Sequence, residues 1–133
     1  MDYDKKWYNS LNKSSLNPPP WVFGVVWPIL YIMIISSGVN YIISKPNLTY
    51  TDKGLLFYVI QFILNLIWSP LFFNYKQICL SLIVIISLIC FVYLTMQEFE
   101  KTNRLSALLL IPYLLWISYA AYLNFYVCNN NTL

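Results

Sequence analysis

The chain has 133 residues, of which 59% are hydrophobic and only 10% charged, with a formal net charge of +3. A water-soluble domain of this size needs far more charge to cover its surface, and so small a net charge, carried in the connecting segments, gives no support to a nucleic-acid partner. Histidine is absent, which removes the commonest metal and haem ligand and every His-based catalytic arrangement.

Uncharged runs cover residues 21–44, 54–75, 77–97 and 105–133. Each is long enough for a helix through a hydrocarbon core of about 30 Å, which takes roughly 20 residues. The sequence therefore predicts one all-α membrane domain over residues 1–133, with the lipid bilayer as its surroundings. Its spans lie near 21–44, 54–74, 77–97 and 105–128, and both termini lie on one side. No signal peptide is expected before the first span, because residues 1–17 are polar and the apolar run after them is too long.

In residues 1–17, Trp7 and Leu11 are four apart among charged neighbours, so a short interfacial helix and a loosely held tail are both open. Pro18, Pro19 and Pro20 set the entry angle of the first span. Trp27 and Tyr31 share a face of it, and Pro28 is expected to bend the helix beside them. Aromatic side chains at such spacing line a binding cavity or an interfacial belt. Ser36, Ser37 and Gly38 form a small-residue patch where a neighbour can approach closely.

Beyond a polar loop over 45–53, the second span carries Gln61, Asn65 and Trp68 on one stripe. Amides are costly in lipid unless partnered, so this stripe is expected to look inward, as helix–helix glue or as ligand contact. In a four-helix bundle it lacks full cover, and a second subunit or a ligand is expected to supply it. A short turn around 74–76 makes spans two and three antiparallel neighbours. Span three is rich in Ile, Leu and Val and reads as lipid-facing support. In span four, Trp116, Ala120 and Asn124 fall on one face, with Ala120 as an indentation. Cys79, Cys90 and Cys128 fit neither a zinc pattern nor a disulfide framework and read as small apolar filler; no metal site is expected. Orientation is not decided by charge. Lys5, Lys6, Lys13 and Lys76 fall on the side of the termini, and Lys45, Lys53, Lys101 and Arg104 on the other.

These residues, taken in order, resemble the translocator protein family, also called the tryptophan-rich sensory protein family. The resemblance rests on Trp7-Tyr8 with Leu11 and Lys13, Pro18-Pro19 before Trp21, Trp27 with Leu30-Tyr31, and Gln61 with Asn65-x-x-Trp68 and Phe72-Phe73. It continues through Pro112-Tyr113-x-x-Trp116 to Ala120 and Leu123-Asn124. The resemblance implies a five-helix bundle, often a homodimer, with a pocket closed by the loop before its second helix. The family binds porphyrins, sterols and benzodiazepine-type ligands there. Carried onto this sequence, the ligand-binding residues would be Tyr8, Pro18, Phe23, Gly24, Trp27, Tyr31, Asn65, Trp68, Trp116, Ala120 and Leu123. Trp27 and Trp116 hold the positions linked in bacterial members to light-driven porphyrin breakdown.

The sequence departs from the family in three places. Only six residues precede Trp7, where the family has a whole helix, so a four-helix version lacking the first helix is expected. The loop motif loses a proline and a tryptophan over residues 13–19. No basic residue follows Tyr126, so the proposed sterol motif is broken. The expected function is that of a receptor or carrier for a flat apolar ligand, a porphyrin-type tetrapyrrole before a sterol, with no cofactor required. The alternatives are photochemical porphyrin degradation, with Trp27 and Trp116 as the reacting side chains, and a structural role through helix–helix association. The spans hold no acid–base pair or nucleophile for ordinary catalysis.

Overall fold

The computed structural model describes residues 20–73, 75 and 77–130. These residues form α1 (Pro20–Ile43), α2 (Lys53–Phe73), α3 (Ile78–Glu100), a short α4 (Arg104–Leu108) and α5 (Ile111–Asn130), with no strand among them. Four stretches are long and apolar enough to cross a bilayer: Trp21–Ile43, Lys53–Phe72, Ile78–Glu100 and, across the α4–α5 junction, Arg104–Asn129. The four predicted spans are thus present. The expected interfacial helix around Trp7 lies outside the described residues, as do Tyr8 and Pro18.

Helix boundaries follow from local chemistry. Asp52 precedes α2 and accepts from the Leu55 backbone N–H at 3.0 Å through its carboxylate, the N-cap arrangement for an otherwise unpaired donor. Asn103 does the same for Ser106 at the start of α4, at 3.2 Å. At the other end of α2, the N–H groups of Tyr75 and Gln77 reach back to the carbonyls of Pro70 and Leu71, both at 3.0 Å. Pro112 supplies no N–H for the Leu108 carbonyl, and the last span breaks into a turn at Leu109 and Leu110 before α5 begins. Pro28 and Pro70 are instead carried inside α1 and α2.

The core runs through all four long helices, including Leu30, Ile34, Phe72, Ile85, Leu88, Phe99, Tyr113 and Ile117. Span three is not merely lipid-facing support. One face of α3 is buried from Ile78 through Ser81, Ile85, Leu88, Val92 and Thr95 to Phe99, and it packs against α2, α4 and α5. Its hydroxyls are hidden cheaply, because Ser81 and Thr95 donate to the carbonyls four residues back, at 2.6 and 2.7 Å. The opposite face, with Ile83, Ile86 and Tyr93, is exposed and suits lipid.

The small-residue patch of α1 is where neighbours come close. Ser37 donates to the Ser106 carbonyl at 2.6 Å, and Gly38 lies under the Tyr58 ring. At the same end of the bundle Tyr41 stacks on Phe99, with ring centroids 4.0 Å apart. The Tyr41 hydroxyl donates to Asp52 at 2.5 Å, and Lys45 pairs with the same carboxylate.

The cysteines overturn their sequence reading. Cys79 and Cys128 form a disulfide, with Cα atoms 5.1 Å apart, while Cys90 is free and exposed. Spans three and four run antiparallel, so the start of one and the end of the other meet at the same membrane end.

Candidate functional site

Side chains of α1, α2 and α5 meet in one polar column inside the membrane-spanning region. The Tyr31 hydroxyl donates to Asn65 Oδ1 at 2.6 Å. Asn65 Nδ2 donates to the Tyr113 oxygen at 2.8 Å, and the Tyr113 hydroxyl donates to Gln61 Oε1 at 2.9 Å. All three bonds run in one sense and end at Gln61 Nε2, which has no acceptor among the described residues. Gln61 and Tyr113 are fully buried and Asn65 nearly so, so each bond acts in a low-dielectric surrounding where it is strong and its absence is costly.

An aromatic wall stands beside this column. Phe23 and Trp27 of α1 meet Trp116 of α5 edge-on, with centroids 5.6 and 6.4 Å apart. Trp27 lies 5.8 Å from Tyr31, and Tyr31 lies 6.4 Å from Phe62. Edge-to-face contacts suit the ring quadrupoles. The Trp116 ring is half-buried, but its Nε1 is hidden and finds no acceptor among the described residues.

A third group fastens Trp68. Its Nε1 donates to Asn124 Oδ1 at 2.9 Å, and Asn124 Nδ2 donates to the Ile78 carbonyl at 2.9 Å. One buried amide thereby joins α2, α3 and α5. At 1.5 Å per residue, Asn124 lies roughly 12 Å along α5 from Trp116, towards the disulfide.

The sequence profile of the TspO/MBR family matches residues 1–129. The chain belongs to the TspO/MBR family. It is 38% identical over 125 residues to the tryptophan-rich protein TspO of Chlorobaculum tepidum, covering 94% of this chain and 79% of that protein. It is 35% identical over 125 residues to protein CrtK of Rhodobacter capsulatus, covering 94% and 78%. Against the human translocator protein the identity is 33% over 129 residues, covering 95% and 75%. With four stretches among the described residues long and apolar enough to cross a membrane, this TspO/MBR protein is an integral, multi-pass membrane protein.

Of the site residues that the TspO/MBR resemblance implied, Phe23, Trp27, Tyr31, Asn65 and Trp116 stand together. Trp68 lies one turn from Asn65 on α2, tied to Asn124, while Ala120 and Leu123 are buried on α5 between Trp116 and the disulfide. Gly24 is apart: it is exposed, and a Cβ there would meet nothing within 4 Å. Trp27 and Trp116 meet edge to face.

The expectation that a second subunit or a ligand must cover the Gln61 and Asn65 stripe is overturned. Both amides are buried within this chain, where Tyr31 and Tyr113 bond Asn65 and Tyr113 bonds the Gln61 carbonyl, leaving Gln61 Nε2 without an acceptor among the described residues. Tyr113 is the residue that sequence reasoning left out of the site. Its signal was present: it lies one turn before Trp116, on the face that α5 buries through Tyr113, Ile117, Ala120, Asn124 and Val127. Trp116 stands at the flank of that buried face, which is why its ring is only half hidden.

Proposed function

We propose that this protein is a membrane receptor or carrier for a flat, apolar ligand of the porphyrin type, held on the wall formed by Phe23, Trp27, Tyr31 and Trp116. The observation that carries the reading is the Trp116 side chain. Its ring offers an aromatic surface and its buried N–H finds no acceptor among the described residues, so a planar ligand whose acceptor atoms reach it gains both stacking and a hydrogen bond. A sterol is the lesser candidate, because it is not planar aromatic and the segment after Tyr126 has no basic residue. The family resemblance further suggests a homodimer. A shallow apolar groove lined by Ile63, Leu66, Ile67, Pro70 and Leu71 of α2, with Tyr75 just beyond it, is one surface open to it, and cross-linking in native membranes tests that assembly.

The test of binding is a protoporphyrin titration of the purified protein in nanodiscs, read by quenching of tryptophan fluorescence. Trp116→Phe should weaken binding by roughly 0.5–1.5 kcal/mol, about two- to tenfold. Trp21→Phe serves as the control, since Trp21 is 69% exposed at the start of α1. Equal affinity in wild type and Trp116→Phe would remove the wall from the site. A second reading, light-driven porphyrin breakdown, is favoured by the direct contact of Trp27 and Trp116. Illumination with product analysis separates it: unchanged porphyrin after illumination leaves binding alone.

A further inference from the structure

The disulfide and the anchor of Trp68 share one seam. Cys79 is the second residue of α3, and Cys128 lies two residues before the end of α5. Ile78, next to Cys79, gives its carbonyl to Asn124, which stands one turn before Cys128 and accepts the Trp68 indole N–H. Within one helical turn, then, a covalent cross-link and two hydrogen bonds join α3, α5 and the side chain projecting from α2.

Besides the disulfide, the start of α3 is held by the buried Ile78 and by the Gln77 N–H on the Leu71 carbonyl. Gln77 makes no side-chain cap bond, and helix ends without caps leave backbone groups that open readily. Cys79 is exposed and Cys128 partly exposed, and both lie within three residues of a helix end, so the bond sits at one end of the bundle, closed while that side is oxidising and open to a reductant supplied there.

We propose that Cys79–Cys128 is a redox-responsive clamp on Trp68, which the family resemblance assigns to the ligand site alongside Phe23, Trp27, Tyr31 and Trp116; this rests on the binding function proposed above. A dithiol reductant reverses the clamp. Its thiolate attacks one sulfur to give a mixed disulfide, and its second thiol then closes onto the first. The reductant leaves as a cyclic disulfide, and two electrons and two protons pass to the protein as the Cys79 and Cys128 thiols. With the cross-link open, the first turn of α3 frays and the Ile78 carbonyl leaves Asn124. Asn124 is then free to turn, and the Trp68 indole loses its fixed acceptor. A ligand in contact with Trp68 binds more weakly.

The experiment uses the full chain with Cys90→Ala, so that the reductant has one target, in nanodiscs with 15N-labelled tryptophan indoles. Reduction should raise the intact mass by two hydrogens; no change in mass would mean that the bond is absent and the proposal fails. Before reduction the Trp68 indole N–H should exchange slowly with solvent; after it, exchange should quicken, with the Trp27 signal unchanged. Adding Cys79→Ser and Cys128→Ser together should reproduce the reduced signal and abolish any response to the reductant. A Trp68 signal identical in all three states overturns the clamp. Protoporphyrin quenching, run in parallel, should show severalfold weaker affinity after reduction in the disulfide-forming protein and no change in the double serine variant. Absence of porphyrin binding in every state would defeat the binding function, while the ligand-free indole signal still decides for or against the clamp.

Discussion

At Gly38 there is no room for a methyl group. A Cβ built there would lie 2.6 Å from the Tyr58 ring carbon and hydroxyl, and Tyr58 cannot swing away freely because its hydroxyl donates to the Ile34 carbonyl at 2.7 Å. Gly38→Ala should therefore destabilise the bundle by about 1–3 kcal/mol, the usual cost of overpacking, seen as a lower thermal midpoint in nanodiscs. Combining it with Tyr58→Leu should recover part of the loss, and a single Gly38→Ala variant as stable as wild type would show that the helices part easily here. This close approach was legible as a run of small residues, but which neighbour filled it was not. The same holds for the amides. Period placed Gln61 and Asn65 inward, yet their partners Tyr31 and Tyr113 are 34 to 52 residues away, a distance that no local pattern spans.

Among the elements, α2 depends on its first contact outside the membrane. Asp52 caps it and gathers Tyr41 and Lys45, so Asp52→Ala should cost about 1 kcal/mol from the lost cap alone. Burial opposes the charged carboxylate, but hydrogen bonds from Lys45, Tyr41 and the Leu55 N–H together outweigh it and hold its pKa below the ordinary carboxylate value. The Asp52 and Tyr41 hydrogen bonds push Lys45 up from 10.5 to about 12. The signs follow directly. The contribution of Asp52 is present above its ordinary pKa of about 4 and is lost as pH falls through its lower folded value. That of Lys45 is present below 10.5 and is lost as pH rises through about 12. Thermal midpoints should be flat in pH between these limits as far as this pair is concerned, and Asp52→Asn should reduce the acid-side fall; an unaltered acid limb would assign that fall to other groups. Helix lengths were readable from the uncharged runs. The break at Leu109 and Leu110 was not, because Pro112 was visible but Pro28 and Pro70, which look alike in sequence, are carried inside their helices.

For the whole molecule, hydropathy gave the number of spans and their antiparallel order, and that order already placed residues 79 and 128 at one membrane end. Their pairing went unread because a separation of 49 residues resembles no local cysteine motif; only topology brings them together. The pairing also bears on orientation, which the even split of basic residues leaves open. Two of the four basic residues at the opposite end, Lys45 and Lys101, are ion-paired with Asp52 and Glu98, which weakens charge as a guide still further. Disulfides persist in oxidising compartments and are rare where the thiol pool is reduced, so the Cys79–Cys128 end should face the oxidising side and the loop bearing Tyr50 the reducing one. In intact cells, a membrane-impermeant phosphine followed by an impermeant maleimide should label Cys79 and Cys128, whereas Cys90, on the lipid-facing side of α3, should stay unmodified. A Tyr50→Cys variant, placed where the native side chain is 90% exposed, should take up the impermeant maleimide only after the membrane is opened. Labelling of that cysteine from outside intact cells, with none at positions 79 and 128, would reverse the assigned orientation.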